Sequence, residues 1–173
     1  MNGVEIKVAR AEDAESIRVL VAAFRDHLQA GAPSDAALEA QLPDLLSDPS
    51  LEFTCAWFQS HAVGYTQTRF FPSIWASGLE AHLEDLFVLP SVRGRAIGRS
   101  LLRHALQRAR ERGARLLGLT TNERNEAAQN LYRSEGLHPQ AAPIWAEGRE
   151  IRWVVELEAE PRSAAPAGWA ARG

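Results

Sequence analysis

Hydrophobic and polar positions change period several times along the chain, and each change marks an element. Val4-Glu5-Ile6-Lys7-Val8 alternates apolar and polar, the two-residue period of a half-buried strand. After Ala11-Glu12-Asp13 the period lengthens, setting Ile17, Leu20, Val21 and Phe24 on one helical face. Gly31-Ala32-Pro33-Ser34 ends that helix. Ser34 is positioned to cap a second helix carrying Leu38, Leu42, Leu45 and Leu46, with Pro43 expected to shorten or kink it. Phe53 to Phe58 predicts a strand, Gln59-Ser60-His61 a turn, and Ala62 to Phe71 the returning strand of a hairpin. Phe70 to Gly78 is then expected to be an aromatic-rich connecting loop.

The stretch from His82 to Arg112 organises the rest. Leu83 to Leu89 is an apolar run interrupted only by Glu84-Asp85, which predicts a buried strand ended by Pro90. A short loop, Arg93-Gly94-Arg95-Ala96-Ile97-Gly98, leads into a helix with Leu101, Leu102, Ala105, Leu106 and Ala109 at helical spacing, and Gly113 occupies the C-terminal cap position. Arg115 to Thr120 predicts a further strand. Asn125 to Glu135 predicts a helix ended by Gly136, and Glu150 to Leu157 a last strand. Beyond it the Ala-, Pro- and Gly-rich sequence has no periodicity. The expected organisation is one domain over residues 1–158 and a flexible tail over 159–173.

Composition narrows the classes. The 173 residues are 46% hydrophobic and 24% charged with a net charge of −3, as expected of a soluble globular domain. No apolar run approaches the ~20 residues that span a bilayer, and the N-terminus has no signal-peptide pattern. A cytoplasmic protein without a membrane partner is expected. The one cysteine, Cys55, allows no internal disulfide and reads as a core thiol. Eight arginines lie between Arg93 and Arg115 against one acid, Glu111. No nucleic-acid motif or aromatic interleaving accompanies them, so nucleic acid is not an expected partner. Arg103, Arg108, Arg110 and Arg112 are read as a solvated helix face.

The chemistry starts at the loop. A strand, a basic glycine-bearing loop and a helix start form an arrangement that binds a diphosphate: backbone N–H groups and the positive end of the helix dipole face the anion. The P-loop ending and the dinucleotide fingerprint G-x-G-x-x-G are both absent. What fits is R-x-x-G-x-G with Ala96 in place of the first glycine of that pattern. This loop resembles the signature of the GNAT superfamily of acetyl-CoA-dependent N-acetyltransferases. Downstream, the run from Asn122 to Leu137 resembles that superfamily's pattern N-x-x-A-x-x-L/F-Y-x-x-x-G-F, on Asn125, Ala128, Leu131, Tyr132 and Gly136. Two motifs in the right order and separation are far more specific than either alone.

The resemblance implies an α/β fold: a mixed, mostly antiparallel sheet with a splayed parallel strand pair and helices on both faces. It implies acetyl-CoA as cosubstrate and no metal. Leu86, Phe87 and Val88 would offer backbone groups to the pantetheine arm. Arg93, Gly94, Arg95, Ala96, Ile97, Gly98 and Arg99 would hold the pyrophosphate, while Asn125, Ala128 and Tyr132 would complete the coenzyme site. The two N-terminal helices would form one wall of the acceptor site. Family members are often homodimers, and the last strand with Trp153 offers an interface.

Direct transfer of an acyl group needs a neutral amine, reactants held in contact, and a proton for the departing thiolate. Tyr132 is the expected acid, against the alternative of a core tyrosine. Glu84 is the expected base: a carboxylate in an apolar strand would have its pKa raised by burial, and His82 on the same face would extend a proton path. The alternative for Glu84 is an ion pair with an arginine such as Arg69. Asp85 is expected to face the other way. Trp75 is either an apolar lining of the acceptor pocket or part of a loop on the domain edge.

Leu83-Glu84-Asp85-Leu86-Phe87-Val88 also resembles the corresponding strand of diamine and polyamine acetyltransferases. The acid-free loop Phe70 to Gly78 with Arg69 beside it does not suit a long polycation. A small primary amine, amino-acid-like or diamine-like, is therefore the expected acceptor, with a protein or peptide amine as the alternative. A non-catalytic acyl-CoA-binding module is the competing class. Tyr132 and Glu84 speak for catalysis, and Ala96 leaves the binding module open.

Overall fold

A computed structural model describes residues 3–139 of the chain. Strand β1 (Val4–Val8) leads through a single 3-10 turn into helix α1 (Ala14–His27) and then α2 (Asp35–Ser47). Ser34 caps α2 by accepting a hydrogen bond from the Ala37 amide at 3.2 Å, and Pro43 is accommodated inside the helix. Strands β2 (Leu51–Phe58), β3 (His61–Ser73) and β4 (Gly78–Val88) come next. Helix α3 (Ile97–Glu111), strand β5 (Leu116–Leu119) and helix α4 (Glu126–Ser134) complete the described elements. The expected last strand, Trp153, the tail and the boundary at 158 lie outside the described residues.

Among the described residues the sheet has the order β1-β2-β3-β4-β5. Its first four strands are antiparallel neighbours, and β5 runs parallel to β4. Helices cover both faces. On one, Ile17 and Leu20 of α1 and Leu38 and Leu42 of α2 pack with Phe53, Cys55, Tyr65 and Phe87. On the other, Leu101 and Ile97 of α3 meet Ala56, Val63 and Val88, while Leu102 and Ala105 meet Leu83. Burial of each such leucine contributes ~1.5–3 kcal/mol, so the apolar stripe of α3 fixes that helix firmly to the sheet. Cys55 is fully buried, and burial pushes its thiol up to about 12.

Three local expectations are corrected. The aromatic segment before β4 is not a loop: β3 continues to Ser73 and β4 starts at Gly78, leaving a tight turn at the hairpin tip. The arginines of α3 do not all face solvent. Glu52 of β2, 8% exposed at its side chain, holds Arg108 at 2.8 Å and Arg112 at 3.8 Å, and the Arg112 guanidinium stacks 3.8 Å from the Phe70 ring centre. These ionic contacts fasten α3 to β2. Thirdly, β4 does not keep strict alternation. Gln67 pairs with Asp85 but Thr68 pairs with Leu83, so Glu84 is an extra residue without a partner on β3.

Gly64 sets the spacing of β3 and β4. A Cβ there would stand 2.7 Å from the Phe87 carbonyl oxygen, so only glycine fits between those backbones.

Candidate active site

The site begins where β4 and β5 separate. β4 pairs with β3 along its whole length, but with β5 only from Glu80 to Leu83. Beyond Leu83 one edge of β4 has no strand beside it among the described residues. The Leu89 amide donates to the Val63 carbonyl at 2.9 Å, so by strand alternation the backbone groups of Phe87 turn toward β3 and those of Leu86 and Val88 toward the gap. Phe87 does not meet the expectation that it offers backbone groups to the gap; its peptide belongs to the ladder, and its contribution is its ring. The Val88 carbonyl accepts from Arg93 Nε at 3.0 Å. The Leu86 and Val88 amides are left facing the gap.

The loop after β4 delivers α3 to the same place. Gly94 and Ala96 adopt positive φ, 79° and 60°. Ala96 is the left-handed N-cap residue of α3, and no side chain caps the helix. Its first N–H groups are therefore available to an anion, with the helix dipole behind them. A Cβ on Gly98 would meet Leu131, Leu86 and Val88 at ordinary contact distances of 3.7–3.8 Å. The chain itself has room for a larger residue there, and what the glycine keeps clear is the cleft. This shape, an open strand edge running to an uncapped helix start, fits a thioester on a long diphosphate-bearing arm.

Asn125 caps α4, its Oδ1 accepting from the Ala128 amide at 3.1 Å. That turns Ala128 and Tyr132 toward the gap, and both line the cleft. Tyr132 is half-buried, and desolvation alone raises its phenol above the usual range, so it stays protonated. The end of α4 is tied to α3 by Glu135, whose carboxylate meets Arg99 at 3.1 Å and Arg103 at 2.7 Å.

Together these elements enclose a cleft of about 1010 Å³. Leu86, Phe87, Val88, Arg93, Gly94, Ala96, Ile97, Gly98, Arg99, Asn125, Ala128, Tyr132 and Glu84 all line it. Arg95 does not: its guanidinium lies over the Phe58 ring at 5.5 Å. The expected wall from the N-terminal helices is supplied by Phe24 and His27 of α1 and by Leu28 at its C-cap, none of them singled out by the sequence, and Arg124 also lines the cleft. The periodicity of α1 assigns Phe24 to the core alone, and it does stack on Phe87 at 5.1 Å. His27 Nε2 lies 3.3 Å from an Arg93 terminal nitrogen, so Arg93 braces α1 to the end of β4.

The acidic pair differs from expectation. Glu84 is exposed rather than buried, and both its oxygens are engaged: Arg69 Nε donates to one at 2.6 Å and Gln67 Nε2 to the other at 2.5 Å. The extra residue in β4 pushes Glu84 out of the sheet, so the expected burial of its carboxylate does not occur. The same insertion shifts the parity of the residues after it. Asp85 shares the face of His82 and Gln67 instead of the opposite one, and accepts the Tyr65 hydroxyl at 2.9 Å. Burial pushes the Asp85 carboxyl above its usual range, with the Tyr65 bond opposing. His82 is paired with Arg69 and Gly118, and among the described residues no hydrogen bond joins it to Glu84.

Trp75 is not in the cleft. It sits at the tip of the β3–β4 hairpin, 85% exposed. Gly78 and Glu84 are six positions apart on β4, roughly 20 Å of strand. Of its two readings, the domain-edge one describes its position.

Among the described residues no cluster of potential metal ligands occurs and no helix is long and apolar enough to cross a membrane. Residues 17–137 match the sequence profile of the Acetyltransferase (GNAT) family. The chain is 28% identical over 142 residues to an aminoalkylphosphonate N-acetyltransferase of Salmonella typhimurium, covering 76% of this chain and 83% of that protein. It is 29% identical over 96 residues to a putative [ribosomal protein bS18]-alanine N-acetyltransferase of Bacillus subtilis, covering 56% of this chain and 60% of that protein's length. In fold it resembles an aminoglycoside N-acetyltransferase solved in complex with CoA, with a TM-score of 0.67, 23% identity, and coverage of 84% of this chain and 95% of that one.

Proposed function

The chain belongs to the GNAT acetyltransferase family, and from that premise we propose that it moves an acetyl group from acetyl-CoA directly to the primary amine of a small molecule. The observation that carries this reading is the meeting, in one cleft, of the open β4 edge and the uncapped start of α3. Acetyl-CoA supplies an activated acyl carbon on a good leaving group. The residues of the chain supply everything else.

The N-terminal amides of α3 and the side chains of Arg93 and Arg99 hold the diphosphate. Asn125 and the gap-facing groups of Leu86 and Val88 orient the pantetheine, and one of those two amides donates to the carbonyl oxygen as it gains charge. Glu84 takes the proton from the attacking ammonium, directly or through water. The amine nitrogen bonds to the carbonyl carbon, the carbon–sulfur bond breaks, and Tyr132 gives its proton to the departing thiolate. The acylated nitrogen gives up its surplus proton, which restores the Tyr132 phenol directly or through solvent, and Glu84 releases its own proton to solvent.

The Salmonella relative is named for a small amine acceptor, and we carry only that coarse class to this chain. The test is acetyl-CoA turnover against a panel of small primary amines, read as free thiol release and as the acetylated product by mass. Thiol release that requires the amine and yields its acetamide supports transfer. Tight coenzyme binding with neither product would leave a binding module instead.

A further inference from the structure

Resting on that reading, we propose that the acceptor is a zwitterion, an amine that carries its own acid group, and that Arg69 is the residue that selects it. Glu84 is the one acid among the described residues lining the cleft. The other charged groups there, Arg93, Arg99 and Arg124, are cationic. A diamine would bring two positive charges to one carboxylate that an arginine already contacts.

The geometry on β3 and β4 shows how one acid and one arginine divide a zwitterion. Arg69 pairs with His82 across the ladder, and Tyr65, Gln67 and Arg69 stand on one face of β3 by alternation. Glu84, displaced from register, leans onto that face to meet both Gln67 and Arg69. Each carboxylate oxygen accepts one of these bonds. A carboxylate has about four acceptor positions, so room remains for an ammonium. Arg69 gives only its Nε to Glu84; among the described residues its two terminal nitrogens have no hydrogen-bond partner. Its side chain is 48% exposed. Asp48 is near enough to favour the charged form of Arg69, but among the described residues no hydrogen bond joins them and that carboxylate is engaged by the Ser50 amide and hydroxyl.

Arg69 therefore does two things at once. It holds Glu84 in place, and it presents a free two-donor edge beside it that suits a carboxylate or phosphonate oxyanion. Ammonium on Glu84 and acid on Arg69 keep every charge paired. An amine with no acid group leaves Arg69 next to its ammonium, a like-charge contact that disfavours it. The reaction itself is unchanged; Arg69 positions the acceptor and touches neither the acyl carbon nor the sulfur.

The experiment compares β-alanine, β-alaninamide and ethylenediamine as acceptors with the full chain and acetyl-CoA. The amide has the larger neutral fraction at a given pH, so intrinsic reactivity works against the expected result. Wild type should give kcat/KM for β-alanine above that for the amide by about tenfold or more, the effect of one charge-assisted hydrogen bond. Arg69→Gln should bring that ratio close to one, mostly through KM, while keeping coenzyme affinity. A ratio near or below one in wild type overturns the proposal without any variant being needed, as does an unchanged ratio in Arg69→Gln. If only amines without an acid group are acetylated, the zwitterion proposal fails and the transferase reading survives. If no amine of any kind is acetylated, both fail together.

Discussion

Tyr65 donates its hydroxyl hydrogen to Asp85 Oδ2 at 2.9 Å, and the pair forms because Glu84 stands outside the register of β4. One inserted residue thus produces two acids with opposite surroundings. Glu84 is pushed into the solvent-facing cleft, and Asp85 is drawn into the core beside a fully buried ring.

Asp85 should make stability depend on pH in a definite direction. Its folded pKa is raised, chiefly by burial, above the ~3.9 of an unfolded aspartate. The stability linked to its proton is complete below that value and is lost as pH rises through the folded pKa. Asp85→Asn keeps an acceptor for Tyr65 and removes the buried charge. It should melt higher than wild type at neutral pH, by ~2–4 °C per kcal/mol gained in a chain of this size. The difference should vanish toward pH ~3, where Asp85 is neutral as well. A loss of stability at neutral pH that disappears toward pH ~3 would show instead that Tyr65 requires the charge.

Tyr132→Phe keeps the ring against Leu131 and the α3 cluster and deletes only the proton donor. The expected result is a fall in kcat of ~10²–10⁴ with coenzyme affinity preserved. Calorimetric titration with coenzyme A beside steady-state rates separates the two. A kcat within about twofold of wild type would assign the thiolate's proton to water.

Glu84→Gln is nearly isosteric and retains an acceptor for Arg69. The rate should fall most near neutral pH, where the amine is protonated, and recover toward pH ~10 as solution deprotonates it. Profiles of kcat/KM from pH ~6 to ~10, with a melting curve at each end, report this. A wild-type profile would leave Glu84 as an anchor for Arg69 alone.

Ala96→Gly tests the left-handed cap of α3. An L-residue in that conformation costs ~1–2 kcal/mol, partly offset in the variant by the extra freedom of an unfolded glycine. The variant should melt slightly higher and bind coenzyme at least as tightly. Weaker binding by calorimetry would reveal a contact made by the alanine methyl.

The elements themselves are readable in the sequence because each has a clean period. The stripe Leu101, Leu102, Ala105, Ala109 can only be a helix packed on a sheet, and Asn125 and Gly136 mark the ends of α4. What the pattern does not carry is the bulge. Glu84-Asp85 looks the same in sequence whether alternation continues or skips a residue, so period alone assigns the two acids directions from a parity that the structure breaks. The hairpin tip misleads for a related reason: Phe70, Phe71, Ile74 and Trp75 make an apolar run, and periodicity does not separate a strand end from a turn. The Glu52 clamp joins residues 56 positions apart, a distance over which no local pattern speaks. The resemblance places the N-terminal helices at the site, but which residue forms that wall is likewise hidden, since Phe24 serves the core and the cleft with one ring.

The missing side chain at Gly64 reaches further than its own strand. With the Phe87 oxygen 2.7 Å from where a Cβ would lie, any larger residue at that position must drive β4 sideways, toward the side where β5 has left it. The width of the gap beside β4 is therefore calibrated from behind, by a residue on β3 that is not among those lining the cleft. Drift at Gly64 would detune the enzyme while leaving every residue in the cleft intact. A survey of variants confined to the cleft would overlook it.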